Sequence, residues 1–146
     1  PKKTPVVALV ERGGEMRAKV VADVTAKTVR KVLVTQVSRK SHLMTDDSLV
    51  YYWLGREFAA HDTVNHSKDE YVRGKAHCNT AESYFALLKR GIMGSFHSVS
   101  EQHLQRYADE FAFRWNHREL DDTARANQII KATVGKRLTY RPTDET

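Results

Sequence analysis

A short apolar run, residues 5–10, and a returning strand pattern, residues 16–24, flank the string Glu11-Arg12-Gly13-Gly14-Glu15, and no other feature restricts the fold as strongly. Adjacent glycines reach the positive-φ conformations that a tight reversal demands, so the two runs pair as an antiparallel hairpin. The second run alternates, placing Met16, Ala18, Val20 and Ala22 on one face, which gives that strand a single core-facing side. Such a hairpin implies the edge of a sheet. Because Gly13-Gly14 lies between two strands, and not between a strand and a helix, it is a turn and no phosphate-binding loop.

Beyond the hairpin, strand and helix patterns alternate. Thr25 can cap a helix over residues 26–37, with Val29, Val32 and Leu33 at helical spacing and Lys27, Arg30 and Lys31 facing water. Residues 42–45 read as a short central strand ending at Asp46-Asp47. Residues 48–57 read as a helix turning Val50, Trp53 and Leu54 inward, residues 61–66 as a short strand around Val64, and residues 68–77 as a polar loop. A long helix opens at Asn79 or Thr80 and runs to about Arg90 along a stripe of Ala81, Tyr84, Phe85, Leu88 and Ile92, until Gly91 and Gly94 interrupt it. Ser98 or Ser100 starts the next helix, and Ser98 with Glu101 has capping-box spacing. Leu104, Tyr107, Phe111 and Trp115 form its bulky stripe. A weaker helix near residues 124–133 precedes a polar tail. This order describes an α/β domain with a mixed sheet flanked by helices.

A chain of 146 residues, 40% hydrophobic, suffices for one domain with a real core. Lys and Arg number 24 against 18 Asp and Glu, a net charge of +6 that suits a polyanionic partner without requiring one. Cys78 is the lone cysteine, which excludes an intrachain disulfide and any four-cysteine zinc site. His61, His66, His77, His97, His103 and His117 form no close-spaced zinc motif. No apolar run reaches the ~18 residues of a membrane span, and the uncharged apolar start is too short for a signal peptide. The expectation is a cytoplasmic chain with no membrane partner.

Ligands of open α/β sheets gather beyond the carboxyl ends of the parallel strands. Asp46 and Asp47 stand at such an end. Either can cap the following helix; Asp46, nearer the strand, is the better-placed ligand, and Asp47 the better cap for a helix from Ser48. Glu82 falls in the first turn of the long helix, where the helix dipole alone favours a carboxylate. Lys89 follows seven residues later, nearly two full turns, so the two share a helix face. Two-metal phosphoryl transfer draws carboxylates from different elements, and oxygen donors are what magnesium prefers. At the helix entrance Asn79 reads as the N-cap, while His77 reads as loop packing or an active-site rim.

Asp46 after a strand, the segment His77-Cys78-Asn79-Thr80-Ala81-Glu82-Ser83, and Lys89-Arg90-Gly91 together resemble the insertion-sequence transposases of the acidic-triad (DDE) class. The resemblance is to the ISXO-type branch, with its H-x-N-T-x-E-S signature, a following K-R-G and then F-H-x-V-S, here Phe96-His97-Ser98-Val99-Ser100. Arg106-Tyr107, residues 110–114, Asn116-His117-Arg118 and the opening segment from Thr4 to Gly14 extend it over roughly residues 4–118. It implies a ribonuclease-H-like fold and a DNA transposase that cleaves DNA and transfers strands with two magnesium or manganese ions. Asp46 becomes the second catalytic aspartate and Glu82 the final glutamate, both of them metal ligands, with positions 47 to 81 between them.

The same resemblance places a first catalytic Asp on a strand upstream of Thr4, outside this sequence, so the first strand of the sheet is expected to be missing. Asp23, at the end of the third family strand, is a poor substitute. The expectation is therefore an incomplete catalytic core over residues 1–120, followed by a C-terminal helix and polar tail over 121–146. Its alternative is an inactive remnant that binds DNA without sequence preference or acts structurally. Arg73, Lys75, Lys89, Arg90, Arg114 and Arg118 are the candidate DNA-phosphate contacts. DNA is the expected partner, a homo-oligomer is compatible, and the expected setting is a bacterial cytoplasm, on the nucleoid when DNA is bound.

Overall fold

The structure is a computed structural model that describes residues 3–64, 72–73, 76–77 and 79–136. It is a mixed α/β fold whose sheets are flanked by helices, consistent with the ribonuclease-H-like core of transposases and integrases. β1 (Val6–Val10) and β2 (Met16–Val20) pair antiparallel, with Val6 opposite Val20 and Val10 opposite Met16. Gly13, at φ 71°, supplies the left-handed residue of the turn. Met16 and Ala18 are buried as the alternation requires. The strand stops at Val20, however, so Val21 is buried and Ala22 faces solvent.

Thr25 caps α1 (Ala26–Gln36), its hydroxyl accepting from the Thr28 amide. Val29 and Leu33 point inward and form a core cluster with Leu54 and Phe58. β3 (His42–Asp46) and β4 (Ala60–Val64) pair in parallel, which requires a crossover between them.

That crossover is not the helix expected over residues 48–57. It consists of two 3-10 turns, Leu49–Tyr51 and Leu54–Glu57. Leu54 is buried, but Trp53 is 70% exposed instead of facing the core. The run Val50-Tyr51-Tyr52-Trp53 is β-branched and aromatic and has low helix propensity. Gly55 also lies against the His61 ring, where a Cβ would overlap it. The chain therefore tightens to follow the sheet.

β5 (Val72–Arg73) and β6 (Ala76–His77) make a small antiparallel pair within the stretch read as a loop. Residues 65–71, Gly74, Lys75 and Cys78 lie outside the described residues, and with them the end of the strand expected to reach His66. α2 (Asn79–Gly91) runs through Gly91 and continues as a π-helical turn, Ile92–Phe96, so the two glycines do not stop it. The helix breaks at His97, whose φ is 59°. α3 (Leu104–Asn116) follows a single 3-10 turn (Glu101–His103). Ser100 occupies the cap position there without a side-chain hydrogen bond, so the Ser98–Glu101 capping box is not formed. Asp121 caps α4 (Asp122–Thr133) by accepting from the Ala124 amide. Residues 137–146 lie outside the described residues.

A second core cluster joins the hairpin to α2 and α3: Met16, Ala18, Tyr84, Leu88, Ala108, Phe111 and Ala112. Tyr84 is fully buried, and its hydroxyl donates to the Ala108 carbonyl at 3.0 Å, which satisfies the one polar atom it brings inside. Burial, reinforced by the Asp109 charge, pushes that phenol up to about 12.

Among the described residues the six strands form three separate two-stranded sheets. Leu9 of β1 and Leu43 of β3 pack on the same α1 cluster, yet their strands do not pair. The hairpin thus has no further strand neighbour among the described residues.

Candidate functional site

Asp46 is the last residue of β3 and is exposed, at the carboxyl end of the parallel pair. The strand pattern puts it on the face opposite Thr45. Thr45 is buried, and its hydroxyl donates to the Asp46 carbonyl at 2.7 Å while the His61 ring nitrogen Nε2 lies 2.9 Å away. These contacts fix the strand end that carries the carboxylate. Burial holds the His61 imidazole below its usual value. The turn after the strand is closed by Asp46 Oδ1, which accepts the Ser48 amide at 3.1 Å. Asp46, not Asp47, therefore caps this turn, and its Oδ2 has no partner among the described residues. Asp47 instead lines an open cleft of about 510 Å³.

Glu82 stands exposed in the first turn of α2 and Lys89 in its last. Both line one open cavity of about 620 Å³, together with Thr4 and Val6 from the hairpin and Phe85 and Leu88 from α2. The shared face inferred from seven-residue spacing is thus present, with Leu88 buried behind it. β6, which precedes α2 in the chain, lies against both β3 and β4. Asn79 opens that helix and His77 ends β6.

The remaining candidate cations fall in different places. Arg90 neighbours Lys89 in the last turn of α2. Arg114 is bound to Glu110 at 2.6 Å one turn back, and Arg118 reaches Glu119 at 3.4 Å while stacking over Trp115. Arg73 belongs to β5, and Lys75 lies outside the described residues.

Sequence reasoning passed over a surface group in the crossover. Tyr52 and Trp53 are both exposed and meet edge to face, with the Arg56 guanidinium 4.5 Å from the Trp53 ring centre and 5.3 Å from that of Tyr52. The signal was available: a run of large aromatics followed by arginine in a segment too short and too β-branched to hide them all.

Asp46 and Glu82 are hard oxygen donors of the kind magnesium or manganese takes. Among the described residues, though, no three His, Cys, Asp or Glu side chains come together. The donor set is a partial fit to a two-ion site, and no chemical step is assigned to it.

Residues 1–116 match the family described as the ISXO2-like transposase domain. The chain belongs to this family of insertion-sequence DDE transposases. It is also similar to an uncharacterized protein in the transposable element ISH50 of Halobacterium salinarum, with 31% identity over 114 residues. That match takes in 77% of this chain and 38% of the relative, so the chain spans well under half of the relative's length. No solved structure matches the chain. No helix among the described residues is long and apolar enough to cross a membrane.

Proposed function

We propose that this chain is part of a DNA transposase core that binds duplex DNA through phosphate contacts and by itself performs no strand transfer. The observation that carries this reading is the pairing of Glu82 with Lys89 on one face of α2, lining one cavity, in a member of a transposase family. A carboxylate and a cation so placed suit a metal ion and the phosphate beside it. Asp46 and Glu82 are proposed as the family's second and third acidic residues, and as the part of a magnesium or manganese cage that this chain supplies. Strand transfer needs a fixed third negative charge to compensate two ions and to orient the nucleophile, and a water ligand cannot replace that charge. Residues 1–120 form the proposed core and 121–146 an appended helix and tail; DNA is the proposed partner, in the cytoplasm.

The test is duplex affinity measured from ~50 to ~300 mM salt, where phosphate contacts predict a steep linear fall of log K against log salt. A tight constant that does not change over that range would reject the electrostatic mechanism. Absence of binding at the lowest salt would leave a purely structural remnant. A second comparison sets this chain against one extended upstream in magnesium- or manganese-dependent joining. Turnover by the short chain, lost in both Asp46→Ala and Glu82→Ala, would overturn the claim that it lacks activity.

A further inference from the structure

The crossover from β3 to β4 displays what a folding chain ordinarily hides. Trp53 is 70% exposed, Tyr52 56% and Leu49 87%. Their exposure is ordered: the two aromatic rings sit at 5.2 Å and 88°, and Arg56 lies over both. Tyr52 and Arg56 line the 510 Å³ cleft together with Asp47, Phe58, His61 and Thr63, while Trp53 stands outside it against the Tyr52 ring and the Arg56 guanidinium. That volume falls within the ~300–1,000 Å³ that small organic ligands occupy.

Charge on this side of the molecule identifies the partner. α1 contains Lys27, Arg30 and Lys31 and no acidic residue. Arg30 is tied to the crossover through Glu57, as is Arg39. From residue 26 to 59 the basic side chains are Lys27, Arg30, Lys31, Arg39, Lys40 and Arg56, against Asp46, Asp47 and Glu57. A cationic face bordered by exposed, edge-to-face aromatics suits single-stranded nucleic acid, whose backbone follows positive charge while its bases stack on rings and guanidinium planes. The cleft itself holds Asp47, which repels phosphate but accepts from an exocyclic amine of a base. The backbone is thereby directed to α1 and the base to the cleft.

We infer that Tyr52, Trp53 and Arg56 form a stacking site for an unpaired nucleobase of single-stranded DNA, with Lys27 and Lys31 of α1 holding its phosphates. The inference rests on the DNA-binding reading above and deepens it, because the site begins four residues beyond the Ser48 amide held by Asp46. An unpaired base captured there keeps a frayed DNA end beside that carboxylate.

The experiment uses the whole chain and two probes of one sequence, a single strand carrying 2-aminopurine and the fully paired duplex. The single strand should bind with quenching of the 2-aminopurine emission. Trp53→Ala should remove the quenching and weaken the single strand about tenfold while leaving duplex affinity within about twofold. Arg56→Lys, which keeps the charge and loses the planar stack, should give a smaller loss of the same kind. Single-strand affinity unchanged in Trp53→Ala would overturn the site, and so would equal losses on both probes. A shift from dimer to monomer on sedimentation of Trp53→Ala would likewise overturn it and assign the patch to self-association. Wild-type duplex binding that persists beside Trp53-independent single-strand binding removes the platform alone. Failure to bind either probe at low salt removes the DNA-binding reading with it.

Discussion

The Asn116 side chain binds the Met16 backbone twice: its Oδ1 accepts the Met16 amide at 2.8 Å and its Nδ2 donates to the Met16 carbonyl at 2.9 Å. An amide at the end of α3 thus takes the place of a strand beside β2. Gln105 does the same about three turns earlier in α3, accepting from the Val20 amide and donating to the Ala18 carbonyl. These two side chains take up the Met16 amide and carbonyl, the Ala18 carbonyl and the Val20 amide on the free edge of β2, which hinders another chain from extending the ladder there.

Removing the substitute strand should be costly. Asn116→Ala leaves an amide and a carbonyl of a half-buried strand without partners, a loss of about 1–3 kcal/mol. Asn116→Asp should not rescue it, because a carboxylate can accept from Met16 but cannot donate to it. Urea unfolding midpoints check both variants. A midpoint in Asn116→Ala equal to wild type would show that water satisfies the edge equally well.

Gly91 lies where a Cβ would overlap the Phe111 ring. Gly91→Ala should gain up to about 1 kcal/mol in helix propensity, and lose about 1–3 kcal/mol by overpacking α2 against α3. The loss should win, with thermal unfolding as the measure. In a Phe111→Leu background the penalty should shrink, since the pair is in direct contact. A Gly91→Ala variant more stable than wild type would show that the two helices separate freely.

Local periodicity made the hairpin, α1 and the long carboxylate-bearing α2 legible, because each pattern agrees with its own turn or cap: Gly13 in the reversal, Thr25 at α1, and the Tyr84–Leu88 stripe in α2. The crossover was misread because Val50, Trp53 and Leu54 fall at helical spacing, while the close approach of Gly55 to His61 is a tertiary fact that no local window contains. The same limit hid the role of Asn116 and Gln105, whose partners lie 100 and 85 residues away. Within the candidate site, spacing alone puts Glu82 and Lys89 on one face, while the cavity they line also takes Thr4, Val6 and Leu104 from distant segments.

Glu57 gives the fold a defined acid response. Its carboxylate receives two hydrogen bonds from Arg30, at 2.6 and 2.9 Å, and one from Arg39 at 2.6 Å. These donors, Arg30 first, hold it at about 2, against an ordinary value of 4.5. A depressed carboxylate stabilises the fold fully above its unfolded value, and that contribution disappears as pH falls through the folded one. The Tm difference between wild type and Glu57→Gln should therefore stay constant from neutral pH down to about 5 and close between 4.5 and about 2. A difference that is flat across that window would mean the three groups do not act as an ion pair in solution.

The cations on α2 and those on α3 should contribute unequally to DNA binding. Among the described residues Lys89 and Arg90 carry no ion pair, whereas Arg114 is held by Glu110 and Arg118 by Glu119. Releasing counterions from DNA requires positive charge that a phosphate can reach, and each contact adds close to one to the slope of log K against log salt. An arginine already facing a carboxylate must give up that partner, and the carboxylate left behind repels the phosphate. Lys89→Ala should thus lower the slope by about one and weaken the duplex at every sequence tested. Arg114→Ala should change the slope by less, and Glu110→Gln should strengthen binding by freeing Arg114. The decisive comparison is the slope for the three variants on one duplex. Equal reductions for Lys89→Ala and Arg114→Ala, with no effect of Glu110→Gln, would show that the i,i+4 pair opens freely on DNA and that both helices face the phosphates alike.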